Sequence, residues 1–446
     1  MMKKMRHSKY FLVSIVFAAL SISCETEFSN PNSVSEDLVY TTREGVIAAA
    51  VGLQQIYSTT GVRWIIETPA VSAREVGITT TFQNMIELED GGSGLPNENA
   101  NVEGLWFTMA RVIKTAEQIE ANIDGVDLSA GTISGLTAHA KFFKALAIGT
   151  LAQNYENVIL TSGSDGDATF VPRLEGFARA IELLSEASAA LSTPPSQEFI
   201  DEITQGHYDL PSAINAISAR YHLFAGNYAQ AITAARSVDV SKKSEFTYTA
   251  NATNPIWARA NSTAPNFKAR VQFGLPASLA LHDADGRIAF YLDPSQDLGE
   301  VSNPNGYEVV ALTGFFTTSS GPIPIYLPDE MHLIIAEASV RSGSVSEAIS
   351  ALNEVLTDTD DLFGVNAGLP AYNGGTSQND VLDEIYKNRR AELYLTGMSL
   401  EDSRRFNRPA PSGSSQIFTE ERNRNFYPYP SSERQNNPNT PNDPPI

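Results

Sequence analysis

The sequence predicts a mostly α-helical protein made of antiparallel helical hairpins, with a loop-rich insertion that carries minor β-strands. Apolar residues recur at helical spacing over most of the chain. Two of the predicted hairpins repeat one spacing of small residues. Residues 237–325 lose this period and contain many Asn, Thr, Pro and aromatic residues. With 42% hydrophobic and 19% charged residues in 446, the composition supports a folded core and excludes wholesale disorder.

The first 24 residues predict an export and anchoring signal. Four Lys or Arg residues and no acid precede Tyr10–Ile22, an apolar or small run of 13 residues that is too short to span a bilayer comfortably. Cys24 follows, and its position resembles the cysteine of a bacterial lipobox, which is diacylated and becomes the new N-terminus. We therefore expect a lipoprotein signal peptide at 1–23, a lipidated tether at 24–36 and a single helical domain at 37–446. Because Cys24 is the sole cysteine, an intramolecular disulfide and a CxxC metal site are excluded.

Helical periodicity then predicts the elements of this domain in order. The predicted helical segments are Glu44–Tyr57, Gly104–Ile123, Leu136–Thr150, Phe177–Leu191, Ser212–Val238, Asp329–Leu356 and Val381–Leu395. Within the irregular region, Arg287–Leu292 and Tyr307–Thr313 have the composition of short strands. The Pro-rich tail from Tyr427 is expected to be irregular but partly packed.

Two of these segments are predicted to be helical hairpins with the same internal spacing. The matching positions are Ala219, Gly226 and Ala231 in the first hairpin, and Ala336, Gly343 and Ala348 in the second, each 117 residues later. Small residues let two antiparallel helices approach closely, and the glycine ends the first helix. This is the pattern of a tetratricopeptide repeat, although two unrelated αα-hairpins would also produce it.

The search for catalytic and metal-binding motifs predicts no enzyme. The chain lacks G-x-S-x-G, G-x-x-x-x-G-K, G-x-G-x-x-G and H-E-x-x-H. Asp165–Asp167 and Asp283–Gly286 faintly resemble calcium loops, but neither completes an EF-hand, so turns are predicted. We expect no catalytic residue, metal or cofactor. With 31 basic and 52 acidic residues, a net charge of -21, the chain also lacks the basic footprint that nucleic acid requires.

Several stretches, in order, resemble motifs of the SusD/RagB family of Bacteroidetes outer-membrane lipoproteins. His282–Arg287 resembles a central "DpR" element, and Tyr326–Ala338 resembles the helix "RyAEvlLmyAEA". Asn388–Gly397 resembles "ERRxELxxEG", with Asn where the family usually has Glu. Asp402–Arg405 resembles the "DLRR" that follows, and Phe426–Asn439 the closing "lfPIPxxExxxNPxl".

The resemblance implies a SusD-like fold and a cell-surface subunit that binds nutrients, usually glycans. Such a subunit is anchored in the outer membrane, faces the cell exterior and caps a SusC-type TonB-dependent transporter without catalysis. Two other functions stay open: a lipid-anchored scaffold that binds a peptide or protein through its repeats, and a surface glycosidase.

Aromatic residues beside amide side chains are the candidate glycan-binding residues, because sugar C–H faces stack on rings and sugar hydroxyls need polar partners. Trp257 lies in the irregular region, Trp64 follows the first helix near a loop, and Phe82 precedes Asn84. Trp106 falls on a helical stripe and is expected in the core. The high negative charge disfavours polyanions, so a neutral glycan is expected.

Overall fold

Helices account for most of the described chain, and short strands connect them. The computed structural model describes residues 39–163, 166–409, 411 and 421–446, and Tyr40–Ile446 forms one compact unit. The predictions of a signal peptide at 1–23, a tether at 24–36, lipidation at Cys24 and a turn at Asp165 lie outside the described residues.

The helices of the described ranges are numbered in chain order. They are α1 (Arg43–Ile56), α2 (Val62–Ser72), α3 (Gln83–Asp90), α4 (Ala100–Asn122), α5 (Ala130–Asn154), α6 (Arg173–Ala190), α7 (Gln197–Phe199), α8 (Leu210–Phe224), α9 (Tyr228–Arg236), α10 (Pro255–Ala260), α11 (Gly286–Tyr291), α12 (Pro328–Arg341), α13 (Val345–Leu356), α14 (Gln378–Glu392), α15 (Ser399–Arg405) and α16 (Ser431–Asn436). The strands are β1 (Val76–Ile78), β2 (Asn157–Ile159), β3 (Phe170–Pro172), β4 (Glu245–Phe246), β5 (Phe267–Arg270), β6 (Leu292–Asp293), β7 (Val309–Leu312) and β8 (Ile323–Pro324).

Polar N-caps set where several helices begin. Thr42 accepts a hydrogen bond from the Gly45 amide at the start of α1, and Ser129 accepts one from Thr132 at the start of α5. At α14, Ser377 and Asp380 form a reciprocal capping box. Each cap satisfies an amide that the helix itself leaves unpaired.

The predicted hairpins are confirmed. α8 packs on α9, α12 packs on α13, and α9 lies against α12, so the two hairpins are stacked neighbours. Gly226 and Gly343 adopt φ values of +79° and +88°, which a residue with a Cβ adopts only under strain. The repeated alanines are fully buried where the helices cross. The repeated spacing in the sequence therefore corresponds to two tetratricopeptide-like hairpins that pack in the same way.

The helical core encloses α5, whose buried residues lie on nearly every side of the helix. Trp106 of α4 is fully buried and stacks on Phe170 with ring centroids 5.4 Å apart, so its predicted core position is confirmed. No helix within the described ranges is both long and apolar enough to cross a bilayer.

The irregular insertion is organised by a small antiparallel sheet in the order β1-β5-β7-β6. β7 confirms the strand expected within Tyr307–Thr313. The strand expected at Arg287–Leu292 is wrong, because Gly286–Tyr291 forms α11. Asp285 caps that helix by accepting from the Arg287 amide, and this local hydrogen bond overrides the strand-like composition.

Candidate ligand-binding cleft

An open cavity of about 410 Å³ lies on the irregular insertion, and we call it the Trp257 cleft. Its volume falls within the range of about 300–1,000 Å³ that is usual for small-molecule sites. Its lining includes the side chains of Trp257, Asn261, Lys268, Gln296, Asp297 and Thr317. They combine one half-buried indole with hydrogen-bond donors and acceptors, which is the combination that a sugar requires.

Asn254 fixes the helix that carries Trp257. The buried Asn254 side chain accepts hydrogen bonds from the amides of Ile256 and Trp257, both at 3.0 Å, and so caps α10. Its amide group donates to the carbonyls of Phe315 and Gly321. One side chain therefore joins the Trp257 helix to the segment 315–321.

Asn261 fixes the other end of α10. It donates to the carbonyls of Leu312 and Phe316, at 2.8 and 2.9 Å, and its own oxygen accepts from Lys268 Nζ at 3.1 Å. Burial lowers the pKa of Lys268. Among the described residues that line the cleft, Lys268 and Asp297 are the two charged ones, so the cleft itself is close to neutral.

Glu67 of α2, a fully buried carboxylate, connects α10 to the helical core. Arg259 binds it through two hydrogen bonds, with Nε to Oε2 at 2.6 Å and Nη2 to Oε1 at 3.0 Å. Asn101 donates to the same carboxylate at 3.0 Å, and Arg63 lies 3.6 Å away. Burial lowers the pKa of Arg63. This network holds the Trp257 helix in place without contributing to the cleft surface.

The other predicted site residues lie around the same network but do not line the Trp257 cleft. The loop position expected for Trp64 is wrong, because a π-helical turn at Tyr57–Gly61 continues α1 into α2 and Trp64 falls inside α2. Its half-buried ring packs beneath the Arg63 guanidinium, 3.8 Å from the ring centroid. Asn84 donates to Asn101 at 2.5 Å, so this amide is already paired. Phe82 is 58% exposed at the start of α3.

Several lining residues were not predicted from the sequence. Lys268 lies on β5, and Gln296, Asp297, Thr313 and Thr317 come from segments that are distant from Trp257 along the chain. Their sequence signal is confined to polar runs in a region expected to be irregular, and such runs are typical of any surface loop.

The motif residues behind the family resemblance form buried ion pairs rather than a surface. Arg287 is fully buried, makes two hydrogen bonds to Asp285 and donates to Asn388 Oδ1 at 2.7 Å. Glu392 lies 3.4 Å from Arg287, and burial raises its pKa well above the usual range. This cluster ties the insertion to α14.

Asp329, at the start of α12, is a further buried carboxyl beside this cluster. Burial, reinforced by Asp358 and Asp361, raises the pKa of Asp329 to about 8. Within the described residues, Asp329 Oδ2 and Glu392 Oε1 accept no hydrogen bond from the protein. In this part of the chain, no group of three or more His, Cys, Asp or Glu side chains is arranged to hold a metal ion.

Two further cavities differ from the Trp257 cleft. One is an apolar space of about 60 Å³ next to Tyr57 and Tyr221, which is too small for a sugar ring. The other is a shallower cavity of about 750 Å³ beside α11.

No family model and no curated protein matches the chain. Solved structures do match. A SusD superfamily protein from Bacteroides thetaiotaomicron superposes with a TM-score of 0.68 at 16% identity, over 90% of this chain and 99% of that chain. A SusD-like carbohydrate binding protein from Bacteroides vulgatus gives 0.63 at 17% identity, over 86% and 85%. NanU from Bacteroides fragilis gives 0.65 at 14% identity, over 93% and 99%. At these identities the similarity is one of fold, and it extends over nearly the whole described chain: the protein has a SusD-like fold.

Proposed function

We propose that the protein is a non-catalytic receptor that binds a neutral glycan in the Trp257 cleft. The observation that carries this proposal is the half-buried Trp257 ring on the wall of an open, polar cavity of about 410 Å³. The indole offers a face for sugar C–H groups, and Gln296 and Thr317 offer partners for hydroxyls. Solved relatives in fold that are described as carbohydrate binding support the same ligand class.

Charge favours a neutral ligand over a polyanion. The chain has a net charge of -21, so a polyanionic glycan would be repelled at long range. Lys268 is the single cation among the described residues of the cleft, and Asp297 offsets it. Asp297 is also the single carboxylate there, whereas glycoside hydrolysis ordinarily requires two. This favours a binding protein over the glycosidase alternative.

The test is a glycan array with the soluble form that lacks residues 1–24, followed by titration of the glycan it identifies. Trp257→Ala should weaken binding about tenfold, the size expected for one lost aromatic face. Trp64→Ala is the matched control, because Trp64 is also half-buried but lies outside the cleft. Wild-type affinity in Trp257→Ala, with loss of affinity in Trp64→Ala, would move the site to the surface around Trp64. Shortening of the bound glycan during incubation would instead favour the glycosidase.

The cellular setting of this proposal is the outer membrane. Acylation of Cys24 would hold the protein there, facing the cell exterior, and a SusC-like TonB-dependent transporter would receive the glycan. The support is the position of Cys24 directly after a short apolar run, together with the SusD-like fold. Two or more acyl chains hold a protein firmly on a membrane, whereas one holds it weakly.

Two experiments test this setting. Cys24→Ala should release the protein into the soluble fraction after a high-salt wash, unless transporter binding retains it. Affinity purification in several mild detergents, with glycan present, should recover a large barrel protein. Consistent recovery of the receptor alone would contradict the transporter partnership.

A further inference from the structure

Three carboxyl groups from three segments meet beside Arg287, and we call Asp329, Asp361 and Glu392 the carboxyl cluster. Asp329 lies in the first turn of α12, Glu392 ends α14, and Asp361 lies in the loop after α13. Electrostatic interactions link each of the three to the others. Each also has one buried oxygen that accepts no hydrogen bond from the described part of the chain: Asp329 Oδ2, Asp361 Oδ2 and Glu392 Oε1. Acceptor atoms are therefore gathered where the protein supplies no donor for them.

The charges around this cluster do not balance when every carboxyl group is ionised. Arg287 is fully buried and lies 3.4 Å from Glu392, but it gives two hydrogen bonds to Asp285 and so shares its charge. The other charged groups that act most strongly on Asp329 are acidic and come from α13 and the loop after it: Glu354, Asp358 and Asp361. Buried like charges repel each other, and binding a proton relieves the repulsion.

Two further titratable side chains lie close by, and neither adds positive charge at neutral pH. The Tyr291 hydroxyl donates to the Glu392 carbonyl at 3.5 Å, and burial raises the pKa of Tyr291 well above the usual range. His332, one turn after Asp329 on α12, faces Glu354 and Asp358, but burial lowers its pKa. The proton that the cluster takes up therefore resides on a carboxyl group, and Asp329, with its pKa raised to about 8 by burial and by its acidic neighbours, is the group that binds it at neutral pH.

The cluster lies where the irregular insertion meets the helical framework. Of the segments that meet there, α12 and α14 belong to the framework, whereas α11 and the 357–377 loop do not. The Gly286 amide at the start of α11 donates to the Ala367 carbonyl of that loop at 3.0 Å. After α11 the chain enters β6 and then reaches Gln296 and Asp297 on the Trp257 cleft. Contacts at the cluster therefore hold this side of the cleft on the framework.

We infer that the carboxyl cluster is a proton-dependent latch, which holds α11 and the 357–377 loop on α12 and α14 while a proton is bound and releases them as the proton is lost. A protonated carboxyl is neutral and carries a hydrogen-bond donor, so it suits a buried site rich in acceptors. Without the proton, the carboxylates repel one another in a site of low dielectric constant. The inference goes beyond glycan binding and does not depend on it.

The direction of the pH effect follows from the closed and open states of the latch. In the closed state the pKa of Asp329 is about 8, and in an open, solvated state it returns towards its ordinary value of 3.8. Opening therefore releases a proton between these two values. The equilibrium constant for opening should rise by up to about tenfold per pH unit from about pH 4 to about pH 8, and then level off.

Hydrogen exchange of the soluble form that lacks residues 1–24 measures this opening. The reporters are peptides that cover 286–298 and 361–368, and their protection is expressed relative to an unfolded chain at the same pH. In the wild type this protection should fall by about tenfold to a hundredfold between pH 5 and pH 7. Asp329→Asn is neutral at every pH and should show no such fall; because it retains His332, the difference isolates Asp329. Asp360→Asn is the matched control, since it removes a carboxylate from an exposed position of the same loop, and it should behave as the wild type does.

Low concentrations of urea separate opening of the latch from global unfolding. A local opening exposes little surface, so exchange of the reporters should be nearly independent of urea, whereas exchange in the buried helix α5 should accelerate. Reporters that respond to urea as steeply as α5 would overturn the inference.

Two other results would also overturn it: wild-type reporters without pH dependence, or an undiminished fall in Asp329→Asn. If Asp329→Asn does not fold, Glu392→Gln replaces it, because it removes a carboxylate that interacts with Asp329 and should reduce the fall. An unchanged fall in Glu392→Gln would then count against the latch. None of these outcomes alters the proposed function, because exchange is measured without glycan and the cleft is tested by Trp257→Ala.

Discussion

Replacing Glu67 with alanine should destabilise the protein far more than removing an equally close ion pair at the surface. The Glu67 carboxylate is fully buried and accepts from Arg259 at 2.6 and 3.0 Å and from Asn101 at 3.0 Å. Removing one partner of a buried pair costs about 3–5 kcal/mol, because the other partner is left without its counter-charge. The Arg259 side chain retains 19% of its exposure, so we expect the lower end, about 3 kcal/mol.

The matched surface pair is Arg236 with Glu347. Its N···O distance is also 2.6 Å, but the two side chains are 60% and 42% exposed. Exposed pairs contribute about 0–1 kcal/mol, so Glu347→Ala should have little effect on the free energy of unfolding. The two pairs therefore share the same shortest N···O distance and differ in burial.

Calorimetric melting of the soluble form measures both variants. The entropy of unfolding is about 2.1 cal/mol/K per residue, so roughly 400 residues give about 0.8 kcal/mol/K. A loss of about 3 kcal/mol then lowers the melting temperature by roughly 4 °C in Glu67→Ala. Glu67→Gln keeps a hydrogen-bond acceptor for Asn101, so its melting temperature should lie between those of Glu67→Ala and Glu347→Ala. Equal shifts in Glu67→Ala and Glu347→Ala would refute the reasoning that burial makes this carboxylate important.

Two further predictions concern pH and close packing. The pKa of Asp329 is raised from 3.8 to about 8 in the folded protein, so its contribution to stability is complete below about pH 4 and is lost as pH rises through about 8, by up to about 1.4 kcal/mol per pH unit. Asp329→Asn should therefore match the wild type in urea unfolding at pH 4 and be more stable at pH 8; parallel losses in both proteins would contradict this. Gly149→Ala should lower the free energy of unfolding by about 1–3 kcal/mol or more, because the new Cβ would lie 2.1 Å from the Tyr221 ring. At Gly52, also within a helix, a new Cβ would meet nothing within 4 Å, so Gly52→Ala should raise the free energy of unfolding by about 0.5–1 kcal/mol. A lower melting temperature for Gly52→Ala than for Gly149→Ala would contradict this account of the packing.

The helical framework could be predicted from the sequence because its signals are local. Apolar spacing and end signals placed α1, α4, α6, α8, α9, α12, α13 and α14 to within a few residues. The repeated spacing around Gly226 and Gly343 identified the hairpins. The positive φ of each glycine and the burial of the alanines beside it depend on only a short stretch of chain, so a local pattern is enough to predict them. Trp106 could be assigned to the core for the same reason.

Errors arose where a nonlocal or side-chain interaction outweighed the local pattern. A cap at Asp285 turned an apparent strand into α11. A π-helical turn carried α1 into α2 and placed Trp64 on a helix. Neither feature has a reliable sequence signal, because each depends on which hydrogen bonds the surrounding structure leaves available.

The sequence by itself determined the helical framework and the hairpin repeats, and it singled out Trp257 in the loop-rich insertion as a candidate binding residue. Only the tertiary structure decided that Trp257 lines a cleft and that Lys268, Gln296 and Thr317 join it there. The physical reason is the distance along the chain between the residues that make each contact. A helix forms from interactions a few residues apart, whereas the cleft is assembled by Asn254 and Asn261, whose amides bind backbone carbonyls more than 50 residues further along the chain.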